Sequence, residues 1–174
     1  MIDCPLQNTA ITIFGIGFQV RTRKSIKQWF GENKVSLYKE LGMKGHNGID
    51  FGVPIGTKVF APFDGYIKAY LGKDGYGTYI RIRSPYKSLE CVLGHMSSIY
   101  AFNKWVNSGD LIGLTGNTGN STGPHLHFGV RQLNKEDKNV WDLSVRNYNN
   151  GYFGYYDISS QTKEWKGTLV INNK

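Results

Sequence analysis

Cysteine occurs only twice in the 174 residues, as Cys4 and Cys91, and never as a CxxC pair. That excludes a disulfide-dense scaffold and a cysteine-type zinc site, and it favours two buried reduced thiols over a bridge. Proline is also scarce, with 5 residues, and acids are outnumbered, 13 against 21 lysines and arginines, for a net charge of +8. No apolar run approaches the roughly 18 residues that a spanning helix requires, so membrane insertion is not expected. The apolar stretch at 10–18 is short, follows Asp3, and has Arg21, Arg23 and Lys24 on its far side. A secretory signal has the reverse order, basic segment first, so this stretch reads as a strand and not as a leader.

What is abundant is glycine (22) and aromatics (Tyr 11, Phe 9, Trp 4), a composition of many turns and pleated surfaces. Short strand-like runs follow one another at 58–61, 66–71, 78–83, 89–93, 111–114 and 125–130, with turn signals between them and no long helical pattern. In the run 78–83, Ile80 and Ile82 alternate with Tyr79, Arg81 and Arg83, as in a half-buried strand. Residues 36–41 (SLYKEL) predict one short helix closed by Gly42. The expectation is a mainly β fold, an antiparallel meander with few short helices. Three segments are expected: an N-terminal strand and basic connection at 1–25, a core at 26–133, and an aromatic extension at 134–174 packed on that core. A final strand is expected at 168–171.

The chain has four histidines, His46, His95, His125 and His127. In an extended HLH segment, His125 and His127 point to one face, about 6.6 Å apart along the strand, while Leu126 and Phe128 face the core. His46 and Asp50 are four residues apart, a spacing that shares a side in strand or helix. Imidazole nitrogen and carboxylate oxygen are both good zinc donors, so His46, Asp50 and one histidine of the pair supply three. Three protein ligands define a catalytic rather than a structural zinc, and two histidines then remain for proton transfer and charge stabilisation. Residues 113–124 (GLTGNTGNSTGP) run straight into the pair and leave room for a substrate backbone. No GxxxxGK[ST] or strand–GxGxxG–helix arrangement points to phosphate.

These motifs, GHNGIDF at 45–51, GH at 94–95 and STGPHLHF at 121–128, resemble the lysostaphin-type (LytM-like) zinc endopeptidases of bacterial cell walls. The segments at 53–65 and 106–113, and QWFGEN at 28–33, are similar to the family's connecting and entry segments. The resemblance covers roughly residues 26–133. It implies one Zn2+ held by His46, Asp50 and His127, with His95 and His125 as the unliganded catalytic pair, in either order of roles. It also implies a groove walled by loops, of the duplicated-hybrid-motif type, and cleavage of peptide bonds in peptidoglycan stems or cross-bridges. One departure stands out: the tyrosine that some members carry six residues before the first ligand is Glu40 here, and Tyr38 is the nearest phenol, so that role stays unassigned.

The basic excess has three readings. Attraction to anionic wall polymers fits the family. Nucleic-acid binding through Arg81 and Arg83 beside Tyr79 is the rival, but no recognisable module accompanies them and none is expected. A general solubility charge is the third. With no export signal read at Met1, action at the cell wall or periplasm is expected through phage lysis, a virion, or export within a larger protein. The alternative function is a catalytically inactive metal-binding protein that binds walls or serves as a virion component.

Overall fold

A computed structural model describes residues 26–136 and 138–158. The expected strands in 1–25 and at 168–171, and Cys4, lie outside the described residues. Ten strands and one short helix are described: β1 (Ile26–Gln28), α1 (Leu37–Glu40), β2 (Ile49–Phe51), β3 (Lys58–Phe60), β4 (Gly65–Leu71), β5 (Thr78–Ser84), β6 (Leu89–Gly94), β7 (Met96–Ile99), β8 (Trp105–Val106), β9 (Leu111–Thr115) and β10 (Leu126–Gln132). The helix falls where SLYKEL predicts it, with Ser36 at its N-cap and Gly42 at φ +71° just beyond it. The mainly β, antiparallel reading holds.

Seven strands form one sheet in the order β1-β2-β10-β6-β5-β4-β8, and three form another in the order β3-β9-β7. Every pairing is antiparallel. Strands β4, β5 and β6 are the expected meander. Strand β10 departs from a simple meander by inserting between β2 and β6, and this is what brings the distant HLH and GHNGID motifs side by side.

The inner face follows from alternation. Phe128 lies opposite Leu93, Leu93 opposite Ile80, and Ile80 opposite Ala69. Phe128, Leu93 and Ile80, together with Phe51, Phe63, Ile67, Ile82, Met96 and Ile112, belong to the main core. The other face carries the alternate residues: Asp50, His127 and Gly94 in one row, with Tyr79 and Tyr70 continuing it. Four residues further along, Arg131, Glu90, Arg83 and Tyr66 form a parallel row.

On that outer face Arg83 is buried, which the alternation at 78–83 does not convey. Its guanidinium pairs with the fully buried Glu90 and donates to the carbonyls of Val140 (2.9 Å), Trp141 (2.9 Å) and Leu143 (3.1 Å). Arg131 donates to the same carboxylate at 2.6–2.7 Å, and its guanidinium lies 5.0 Å from the Tyr155 ring centre. Residues 140–143 and 153–155 thereby cover part of the sheet. Arg83 is thus an internal tie, so the rival reading of an exposed Arg81–Arg83 nucleic-acid face loses one of its two cations. Cys91 is buried and free, and burial pushes its thiol pKa up.

Candidate metal centre and catalytic histidines

Strand β2 is three residues long and wholly buried, flanked by β1 and β10, and the register sets Asp50 directly opposite His127. His46 lies three residues before the first residue of β2. Its Nδ1–H donates to the Trp29 carbonyl (3.2 Å). A carbonyl only accepts, so Nδ1 keeps the proton and Nε2 presents a lone pair. That nitrogen stands 3.0 Å from Asp50 Oδ1 and 3.0 Å from His127 Nδ1, and His127 Nδ1 stands 3.0 Å from the same Oδ1. Three electron-pair donors thus form a nearly equilateral triangle on buried side chains. Zinc at about 2.0–2.1 Å from three tetrahedral ligands sets them about 3.3 Å apart, so the residues present fit a single divalent cation.

Packing enforces the triangle. A Cβ on Gly48 would sit 2.6 Å from His127 Cε1 and 2.6 Å from the Phe128 carbonyl oxygen, so only glycine lets the His46 loop lie against the ring. Tyr76 covers the other side, its ring centre 4.9 Å from that of His127, and its hydroxyl accepts from Asn47 Nδ2 at 2.7 Å. Burial lowers the His127 pKa to about 4, so its ring is neutral and able to act as a ligand at neutral pH. Burial works against the Asp50 carboxylate, yet the His127 and His46 imidazoles beside it outweigh burial and hold its pKa below the ordinary carboxylate range.

His125 precedes β10, at an isolated bridge with Gly116, and is not part of the strand the sequence suggests. Its Nδ1–H donates to the Gly123 carbonyl at 2.7 Å, which turns Nε2 toward the centre, 3.6 Å from Asp50 Oδ2. His95 sits at the β6–β7 corner with φ +61°. Its backbone N–H donates to the Tyr76 carbonyl (2.8 Å) and its Nδ1–H to the Thr118 carbonyl (2.7 Å). Burial lowers its pKa. The His95 and His125 ring centres are 4.4 Å apart. The pair stands beside the donor triangle, the His95 ring centre 6.2 Å from that of His127.

All five residues singled out in the sequence converge. Tyr38 lies beside His46, with ring centres 6.0 Å apart, but its hydroxyl donates to Gln28 Oε1 (3.0 Å) and burial pushes its pKa up to about 12. Glu40 is exposed. Sequence reasoning missed Asn47 and Tyr76. Asn47 lies inside the quoted GHNGIDF motif, while Tyr76 stands in the glycine-rich turn at 72–77, and only the register of Gly94 against β10 brings it over the ring.

The fold and donor set define a β-sheet protein of the metallopeptidase type. Residues 44–140 match peptidase family M23, more than half of the chain, and the protein belongs to that family. It is 42% identical over 86 residues to the DD-carboxypeptidase/endopeptidase Mpg of Neisseria meningitidis serogroup B, covering 49% of this chain and 20% of that protein. To the peptidoglycan DD-endopeptidase ShyA of Vibrio cholerae it is 40% identical over 84 residues, covering 48% and 19%. The chain thus spans about a fifth of the length of these curated relatives. Its fold is similar to the catalytic domain of the antimicrobial peptidase lysostaphin from Staphylococcus simulans, at 25% identity and a TM-score of 0.59 over 79% of this chain and 91% of that one.

Proposed function

We propose that the protein is a zinc-dependent endopeptidase that hydrolyses peptide bonds in peptidoglycan stems or cross-bridges. The observation that carries this is the donor triangle with two unliganded imidazoles on one side of it. His46, Asp50 and His127 are the zinc ligands in this reading, one ion per chain. Zinc bound there supplies Lewis acidity to a water molecule and to a peptide carbonyl. Asp50 and the two histidines are preset for it: His46 by the Trp29 carbonyl, His127 by burial that keeps it neutral. His125 Nε2, with Nδ1 tied to Gly123, accepts the proton from the attacking water. His95 Nε2, held by Thr118, carries a proton to the departing amine or hydrogen-bonds the oxygen that gains charge; the two roles are exchangeable on this geometry. A general base of this kind contributes about 10²–10⁴-fold.

The named activities of the relatives support peptidoglycan as substrate, and the charge of +8 supports attraction to anionic wall polymers. The test measures zinc content and amine release from purified peptidoglycan together. Chelation should abolish release and zinc should restore it. His125→Ala should lose about 10²-fold or more in rate while keeping one zinc, whereas His46→Ala and Asp50→Ala should lose the metal. A wild-type protein with full zinc that cleaves no wall would instead identify the inactive wall-binding or virion component.

A further inference from the structure

The outer face of the large sheet carries more than the candidate centre. The row of Asp50, His127 and Gly94 continues into Tyr79 and Tyr70, whose rings stack at 4.6 Å and 7°. Two residues along β4 and β5 the same face bears cations, Lys68 opposite Arg81. Arg81 lies over both tyrosines (5.6 and 5.8 Å), and Lys68 lies 4.4 Å over the Trp141 ring. Two further along it bears Tyr66, edge-on to Trp105 at 4.8 Å, and Tyr86 stands edge-on to Trp105 at 6.0 Å. Tyr66 is 44% and Tyr86 80% exposed.

Rings and cations thus alternate in rows along about 13 Å of strand, beginning in the row of the metal centre. Tyr70, Tyr79 and Trp105 are half-buried beside these two exposed rings, and aromatic surface open to solvent marks an interaction site. We propose that this stripe is a docking surface for the glycan strand of peptidoglycan, and the proposal rests on the wall-hydrolase reading above. A pyranose offers an apolar C–H face and a polar rim, which suits a ring platform edged by ammonium and guanidinium groups. A phosphate polymer needs exposed cations, but here both are half-buried against rings, Arg81 on Tyr70 and Tyr79 and Lys68 on Trp141. Spacing fits as well. Tyr79 lies two strands from His127, about 10 Å away, so an extended peptide of three or four residues hanging from a sugar on the stripe reaches the centre.

The experiment uses the full chain, glycan strands stripped of peptide as the binding probe, and two substrates, intact sacculi and a soluble cross-linked stem peptide. Tyr66→Ala with Trp105→Ala should weaken retention on stripped glycan by about tenfold and slow sacculus turnover alike, while soluble-peptide turnover stays within about twofold. Tyr86→Ala, a surface change that does not threaten folding, should show a smaller loss in the same direction. Wild-type protein that is not retained, or variants retained as well as wild type, would overturn the proposal. So would retention that vanishes in about 0.5 M salt and ignores the aromatic substitutions, which would assign the binding to an anionic polymer. Failure to cut the soluble peptide sinks the hydrolase reading alone, because retention on stripped glycan is read without turnover.

Discussion

At the scale of single residues, the centre depends on one missing side chain. A methyl group on Gly48 would meet both the His127 ring and a backbone carbonyl that cannot withdraw. Gly48→Ala is expected to cost about 1–3 kcal/mol of stability, as overpacking does, and to lower zinc content below one equivalent. Denaturant unfolding and metal analysis of the purified variant check both. His127 also gives the molecule a signed pH dependence. Its pKa falls from 6.5 to about 4 on folding, so between these values the unfolded chain binds more protons. Chelator-treated protein should therefore have its full stability above about pH 6.5 and lose it as the pH falls toward 4, by up to one proton of slope from this group. Urea titrations at pH 7 and pH 5 read this directly, and greater stability at pH 5 would refute it. Sequence made this scale the most legible: the four histidines and Asp50 are short-range motifs whose donor chemistry survives without coordinates. Tyr76 did not show, because its role comes from a contact across the sheet.

Among elements, the runs of alternating apolar residues located most strands within a residue or two, since burial on one face imposes period two. The three-residue β2 and the two-residue β8 are too short to carry a period, and β10's place between β2 and β6 is a long-range choice no local signal encodes. The buried carboxylate of Glu90 was equally hidden, because alternation gives a face and not what later covers it. The two arginines that hydrogen-bond to it, Arg83 and Arg131, join β5, β6 and β10 to the 140–143 segment. Glu90→Gln leaves two guanidinium groups buried with a neutral partner, and a loss of about 3–5 kcal/mol is expected in equilibrium unfolding. A change below about 1 kcal/mol would mean that water enters and solvates the arginines.

For the whole molecule, a ligand that binds only the folded state stabilises it by mass action. Zinc at about a thousand times its dissociation constant should add about 4 kcal/mol, seen as a higher melting temperature that falls on chelation and returns with metal. His46→Ala should melt at one temperature under both conditions. The net charge, by contrast, told little about function when read as a total: part of the positive charge is internal, committed to Glu90 or laid on aromatic rings.

His95 occupies a left-handed backbone conformation that glycine or asparagine would adopt at less cost. In the proposed mechanism the histidine at this corner answers to chemistry and not to the turn, so a relative without hydrolytic activity is free to carry asparagine or glycine there.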